Sequence, residues 1–260
     1  MRFFNKHLDI LAGGQAKILV FDCEFWHVLG ESGDQKFTFP PNEDFFFISR
    51  EIGGFILTKN KDGSWSYNNP FFVTLSKPKR EVAFPISKYA TVDASTARKL
   101  DDLENRLGIP WGASFPSRLS PTGEEALRLG LKVYTEDSNI KAHHKPPSWY
   151  STFMKHYSES TIIVKGTGDI DALKNASAMY GFDYVPPKGV IDIALWNAQS
   201  RKLCGTAKLE GTFHCITKYL DDDTKHLATY LPLEKAHDPT TDASMTLLVA
   251  IYIASRAHKK

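Results

Sequence analysis

The stretch Lys17-Ile18-Leu19-Val20-Phe21-Asp22-Cys23-Glu24 constrains this chain more than any other segment. Its apolar, largely β-branched run predicts a buried strand over residues 17–22. The run ends in two carboxylates at positions i and i+2, which a strand projects to one face. Asp22 and Glu24 therefore share a side where a loop opens, and they repel unless a cation lies between them. On its own the pair reads equally well as solvated acids in a strand-end turn.

The rest of the chain predicts a mixed α/β layer fold around that strand. Residues 51–58 form a second strand and residues 65–75 a third, with Asp62-Gly63 marking the hairpin between them. Residues 93–107 read as a helix, with Leu100, Leu103 and Leu107 on one face and Gly108 and Pro110 as the stop. Residues 109–160 hold Pro110, Pro116, Pro121, Pro146 and Pro147, with a short helical pattern near 124–131, and read as an irregular insertion or lid. Regular pattern returns as a strand at 161–165, a helix at 169–180 closed by Gly181, a strand at 190–195, and helices at about 206–219 and 243–257. Three strands followed by helices alternating with two more predict an α/β architecture.

Several classes lose their signals. The longest apolar run, residues 245–254, is short of the roughly 20 residues of a membrane span and reads as a buried helix. Residues 1–14 lack an uninterrupted apolar core, so a secretory signal is not expected. The 3 cysteines, Cys23, Cys204 and Cys215, contain no CxxC pair and indicate neither a disulfide framework nor a zinc finger, which points to an intracellular compartment, cytoplasm or nucleus. No phosphate-loop, nucleophile-elbow or HExxH pattern occurs. Against 32 Lys and Arg stand 30 Asp and Glu, a net charge of +2, which excludes a strongly basic coat protein but not an enzyme acting on nucleic acid.

Two further segments carry chemistry. Asp169 follows a strand and a glycine-rich turn and opens a helix, a position that also suits an ordinary N-cap; Asp171 competes with it for any functional role. His237 and Asp242 flank the segment Asp238-Pro239-Thr240-Thr241 that leads into the last helix. A surface histidine with a capping aspartate explains them, and so does a mobile general base tethered beside an acidic helix start.

A strand-borne Asp-x-Glu, an Asp at a strand-to-helix turn and a His-x4-Asp entering the C-terminal helix together resemble the DEDDh exonucleases, the RNase T-like branch of the ribonuclease H-like superfamily. Ile18-Leu19-Val20-Phe21-Asp22-Cys23-Glu24-Phe25 is similar to the family's first motif, residues 166–176 to its second, and residues 237–246 to its third. Leu173, four residues after Asp169, matches the family's large apolar position. Glu51-Ile52-Gly53, residues 72–78 and Val190-Ile191-Asp192 resemble the strands between the motifs. The likeness covers roughly residues 15–80 and 160–257, leaving about 81–160 as an atypical insertion in a single domain spanning 1–260. Where the family carries a polar pair such as His-Asn, this chain has Lys165-Gly166-Thr167-Gly168. That leaves Asp169 and Asp171 both open, with the leucine spacing favouring Asp169.

The resemblance implies a ribonuclease H-like three-layer fold, with a mixed five-stranded sheet flanked by helices. It implies a 3′–5′ exonuclease that hydrolyses phosphodiester bonds at the 3′ end of RNA or single-stranded DNA, RNA slightly favoured, and releases nucleoside 5′-monophosphates. Two Mg²⁺ or Mn²⁺ ions would do the electrostatic work, held by Asp22, Glu24, Asp169 and Asp242, with Asp22 bridging. His237 would take the proton from the attacking water; its ordinary pKa of about 6.5 suits that role. Phe25 and Trp26 would stack on a terminal base, or pack in the core. Lys77, Lys79, Arg80 and Lys88 would follow the phosphates, or lie solvated on a loop. The partner is then a nucleic acid with a 3′ end and no membrane. A catalytically inactive nucleic-acid-binding module on the same fold is the alternative, and a metal-free interaction module whose acids serve as helix caps is another. His143-His144 reads as loop and Asp192 as structural.

Overall fold

The computed structural model describes residues 2–29, 45–68, 70–74, 132–134, 149–180, 183–233 and 238–257. The expected helix at 93–107, the short helical pattern near 124–131, the basic residues Lys77, Lys79, Arg80 and Lys88, and His143-His144 lie outside them. So does His237.

The elements run β1 (Arg2–Phe3), α1 (Lys6–Ala12), β2 (Lys17–Leu29), β3 (Phe45–Lys59), β4 (Trp65–Tyr67), β5 (Phe71–Thr74), β6 (Lys132–Tyr134), α2 (Tyr150–Glu159), β7 (Thr161–Val164), α3 (Gly168–Tyr180), β8 (Gly189–Asp192), a 3-10 turn (Ile193–Trp196), α4 (Asn197–Cys204), α5 (Leu209–Ile216), a second 3-10 turn (Thr217–Tyr219), α6 (Asp222–Ala228) and α7 (Pro239–Ala257). The strands join in one mixed sheet in the order β1-β4-β3-β2-β7-β8, with β5 beside β3 and β6 beside β5. β2 runs antiparallel to β3 and parallel to β7, which is parallel to β8.

The sheet is larger than the expected five strands, for a local reason. The third expected strand, 65–75, is broken ahead of Pro70, which brings no N–H to a ladder. Its halves, β4 and β5, both pair with β3, at Leu57–Lys59 and at Glu51–Gly54 respectively. The two-residue β1 and three-residue β6 then add to their outer edges. The Asp62-Gly63 hairpin forms as expected: Gly63 takes a positive φ of 83°, and the Ser64 N–H donates to the Asp62 carboxylate at 2.9 Å.

Alternation along β2 divides the core. Ile18 and Val20 face one layer, built on Leu8 and Leu11 of α1, Phe213 and Ile216 of α5 and the apolar stripe of α7. Leu19, Phe21 and Cys23 face the other, with Tyr150, Phe153 and Tyr157 of α2 and Ile170, Leu173 and Ala176 of α3. Burying both faces is why this strand reads as a nearly continuous apolar run. Among the described residues no helix is long and apolar enough to cross a membrane.

Four further expectations need correction. The last stretch of the supposedly irregular 109–160 is α2, whose Tyr150, Phe153 and Tyr157 are buried at helical spacing, with the buried Trp149 just before it; Phe153 and Tyr157 pack edge-on against Phe21. Prolines at 146 and 147 stand before this helix, not within it. The strand at 190–195 stops at Asp192, whose carboxylate accepts from the Ala194 N–H at 2.8 Å and turns the chain into a 3-10 helix. The last helix starts at Pro239, four residues before 243, because Asp238 caps it and proline suits the first helical position. Finally, Cys204 and Cys215, at the end of α4 and within α5, are joined in a disulfide, which the odd count and absent CxxC did not suggest. Cys23 is free and buried.

Candidate functional site

Four of the expected acids lie near one another partway along the sheet's central strand, not at its end. β2 was expected to stop at residue 22 and give way to a loop, but it continues in pairing with β3 to Leu29. Asp22 and Glu24 leave β2 on the face that carries Ile18 and Val20, the face covered by α7. Asp22 lies opposite Gly53 of β3. That glycine has a steric purpose: a Cβ built on it would stand 2.6 Å from the Thr240 N and 2.8 Å from the Pro239 carbonyl carbon. The first turn of α7 thus rests directly on the backbone of β3 beside Asp22, and Asp242 sits in that turn.

Asp169 arrives from the other edge. β7 last pairs with β2 at Val20↔Ile163, so farther along β2 the parallel ladder has ended. There the Cys23 N–H donates to Asp169 Oδ1 at 3.0 Å. The buried carboxylate at the start of α3 takes the place of the missing strand, and its donor partner, Cys23, lies between Asp22 and Glu24 in the chain. Asp171, the competing residue, instead accepts from Lys174 Nζ at 3.1 Å and is 43% exposed. The geometry brings Asp169, and not Asp171, beside β2.

The electrostatics follow from this crowding. Burial, then the charges of Asp169, Asp242, Glu24 and Asp238, push the Asp22 carboxyl well above its ordinary range. Burial also raises Asp169 to about 8, against the lowering effect of the Cys23 N–H. Such groups hold protons, or cations, more tightly than exposed carboxylates.

Two acids of this region were not singled out from sequence. Asp238 is 3% exposed and caps α7, accepting from the N–H groups of Thr240 at 2.9 Å and Thr241 at 3.3 Å and from the Thr240 hydroxyl. The Asp-Pro pair at a helix start was the available signal. Glu51 lies opposite Glu24 across the β2–β3 ladder, a like-charged pair that only the register reveals. Immediately past that pair, between Glu24 and Phe25, the register shifts in a bulge, which bends the strand where the acids project. Phe25 and Trp26 continue β2 beyond the bulge, opposite Ser49 and Ile48; their side chains lie outside the described residues. Asp192 accepts from the N–H groups of Gly166 at 2.7 Å and Ala194 at 2.8 Å.

An all-carboxylate donor set suits a hard divalent cation such as Mg²⁺ or Mn²⁺. The mutual repulsion on Asp22 is what such an ion would relieve. Among the described residues no three His, Cys, Asp or Glu side chains are grouped closely enough to cage one, so the fit rests on donor chemistry and charge. Compared with models of known protein families and with curated protein sequences, the chain has no match.

Proposed function

We propose that this chain is a metal-dependent 3′–5′ exonuclease of the DEDDh type on a ribonuclease H-like fold, acting on RNA or single-stranded DNA. The observation that carries the reading is the convergence on Asp22 of Glu24, Asp169 and Asp242, acids from a central strand and two different helices. The strand arrangement supports it too. The first long strand, β2, is central, its antiparallel partner β3 leads outward to β4 and β5, and the parallel β7 and β8 complete the other side.

When bound, Mg²⁺ or Mn²⁺ supplies charge neutralisation at the scissile phosphate and acidifies water. The protein's own residues do the positioning. Asp22 and Glu24 of β2 and Asp242 in the first turn of α7 would hold the cation, and Asp169, oriented by the Cys23 N–H, would complete the set. His237 directly precedes Asp238, the α7 cap, and accepts at its imidazole nitrogen the proton of the attacking water. Phe25 and Trp26, next along β2, serve the terminal base.

Oligonucleotides with a free or a blocked 3′ hydroxyl test polarity. With Mn²⁺, the free-ended RNA is shortened one nucleotide at a time and the 3′-blocked strand survives. Cleavage of both at internal positions, or binding without cleavage under every metal, overturns the reading; the latter outcome supports an inactive binding module.

A further inference from the structure

We propose that Lys165 is a phosphate-binding residue of this site, its ammonium meeting the phosphate of the nucleotide that is removed. The inference rests on the exonuclease reading and deepens it.

The position follows from the sheet. β2 and β7 run parallel with Val20 level with Ile163, both facing the α7 layer. Lys165 comes directly after β7 ends at Val164, just past the point where the ladder with β2 has stopped, and the charge of Asp22 reaches it there. Lys165 is half-buried, and its Nζ donates to the Ala207 carbonyl at 2.9 Å. Ala207 lies in the link between α4 and α5, the segment closed by the Cys204–Cys215 disulfide, so the carbonyl that holds the lysine is itself anchored.

This cation has no ion pair with any described carboxylate within contact distance, yet the charges that act on it are those of Asp192 and Asp22. An ammonium carries three donors. One is committed to Ala207, a neutral acceptor, which leaves the positive charge uncompensated by contact at the rim of an acidic cluster. A phosphate approaching four carboxylates meets a repulsive field, and a fixed cation within reach of the Asp22 charge counters it. Burial alone would disfavour keeping a lysine here; a phosphomonoester dianion supplies the missing counter-charge.

The test measures equilibrium binding of adenosine 5′-monophosphate and of adenosine, with Mn²⁺, to the wild type, Lys165→Met and Lys165→Arg, alongside RNA cleavage. Lys165→Met retains the aliphatic stem and removes the charge. We expect it to weaken the monophosphate at least tenfold, leave adenosine unchanged and raise KM for RNA, with Lys165→Arg restoring most of the affinity. Equal monophosphate affinity in Lys165→Met and wild type, with wild-type cleavage intact, overturns the proposal while the exonuclease reading stands. Parallel loss of both ligands assigns Lys165 a structural brace only and also overturns it. A wild type that neither cleaves RNA nor binds the monophosphate overturns both.

Discussion

Asp22 and Asp169 carry opposite demands. They are buried enough to favour protons, yet the proposed chemistry needs them ionised. A carboxyl raised in the folded state adds stability in full below its unfolded value of about 3.9 and loses it as pH climbs through the folded value. With Asp169 at about 8, the metal-free protein should melt at progressively lower temperature from about pH 4 to pH 8 in EDTA. Mg²⁺ or Mn²⁺ should raise the melting temperature, and more at pH 8 than at pH 6; a melting curve indifferent to both pH and metal contradicts the cluster. Asp169→Asn keeps an acceptor for the Cys23 N–H while removing the charge, so it should flatten the pH dependence and abolish turnover. Gly53 is the other decisive residue. Gly53→Ala sets a methyl against the α7 backbone, so we expect a loss of about 1–3 kcal/mol in urea unfolding. The turnover should fall further than that destabilisation explains, because Asp242 moves with α7.

At the level of elements, α7 is held by its cap as well as its apolar stripe. Asp238→Ala strips the acceptor from Thr240 and Thr241 and should cost about 1–2 kcal/mol, with Asp238→Asn recovering part of it. The α4–α5 pair is held covalently. Denatured, unreduced protein should titrate one thiol, Cys23, and three after reduction. Cys204→Ser should lower stability by about 2–4 kcal/mol. The start of β2, the later half of β3 and the turn that follows it were legible because their patterns are local: the apolar run, the acids two apart and the Asp-Gly pair. The extensions of β2 to Leu29 and of β3 back to Phe45, which pair with each other, were not. What escaped depends on long-range partners. α2 was hidden by neighbouring prolines although its buried aromatics keep helical spacing. The early start of α7 depends on a cap whose role shows only once the helix is seen. The disulfide joins residues that approach only when α4 and α5 pack.

For the whole molecule, the acids lie beside β2 just beyond the carboxyl end of β7, and the region past a parallel strand's carboxyl end is a usual location for ligands in open α/β sheets. Asp22, Glu24, Asp169 and Asp242 were named from motif order, and the leucine spacing already leaned to Asp169; the Cys23 hydrogen bond, the Glu24–Glu51 pairing and the reach of the Asp22 charge to Lys165 appear only in the fold. The near-neutral charge now has a spatial meaning. With those four acids set aside, 32 basic residues face 26 acidic ones, +6 for the rest of the chain. A protein can thus be balanced overall and still grip a phosphate backbone locally. The most direct test of the central claim is product analysis on 5′-end-labelled RNA with wild type and Asp22→Asn. With Mn²⁺ the wild type should release nucleoside 5′-monophosphates from the 3′ end, while EDTA or Asp22→Asn stops release with the fold intact by circular dichroism. Release that persists in Asp22→Asn or in EDTA, or no release from any RNA or single-stranded DNA by the wild type, would contradict the account.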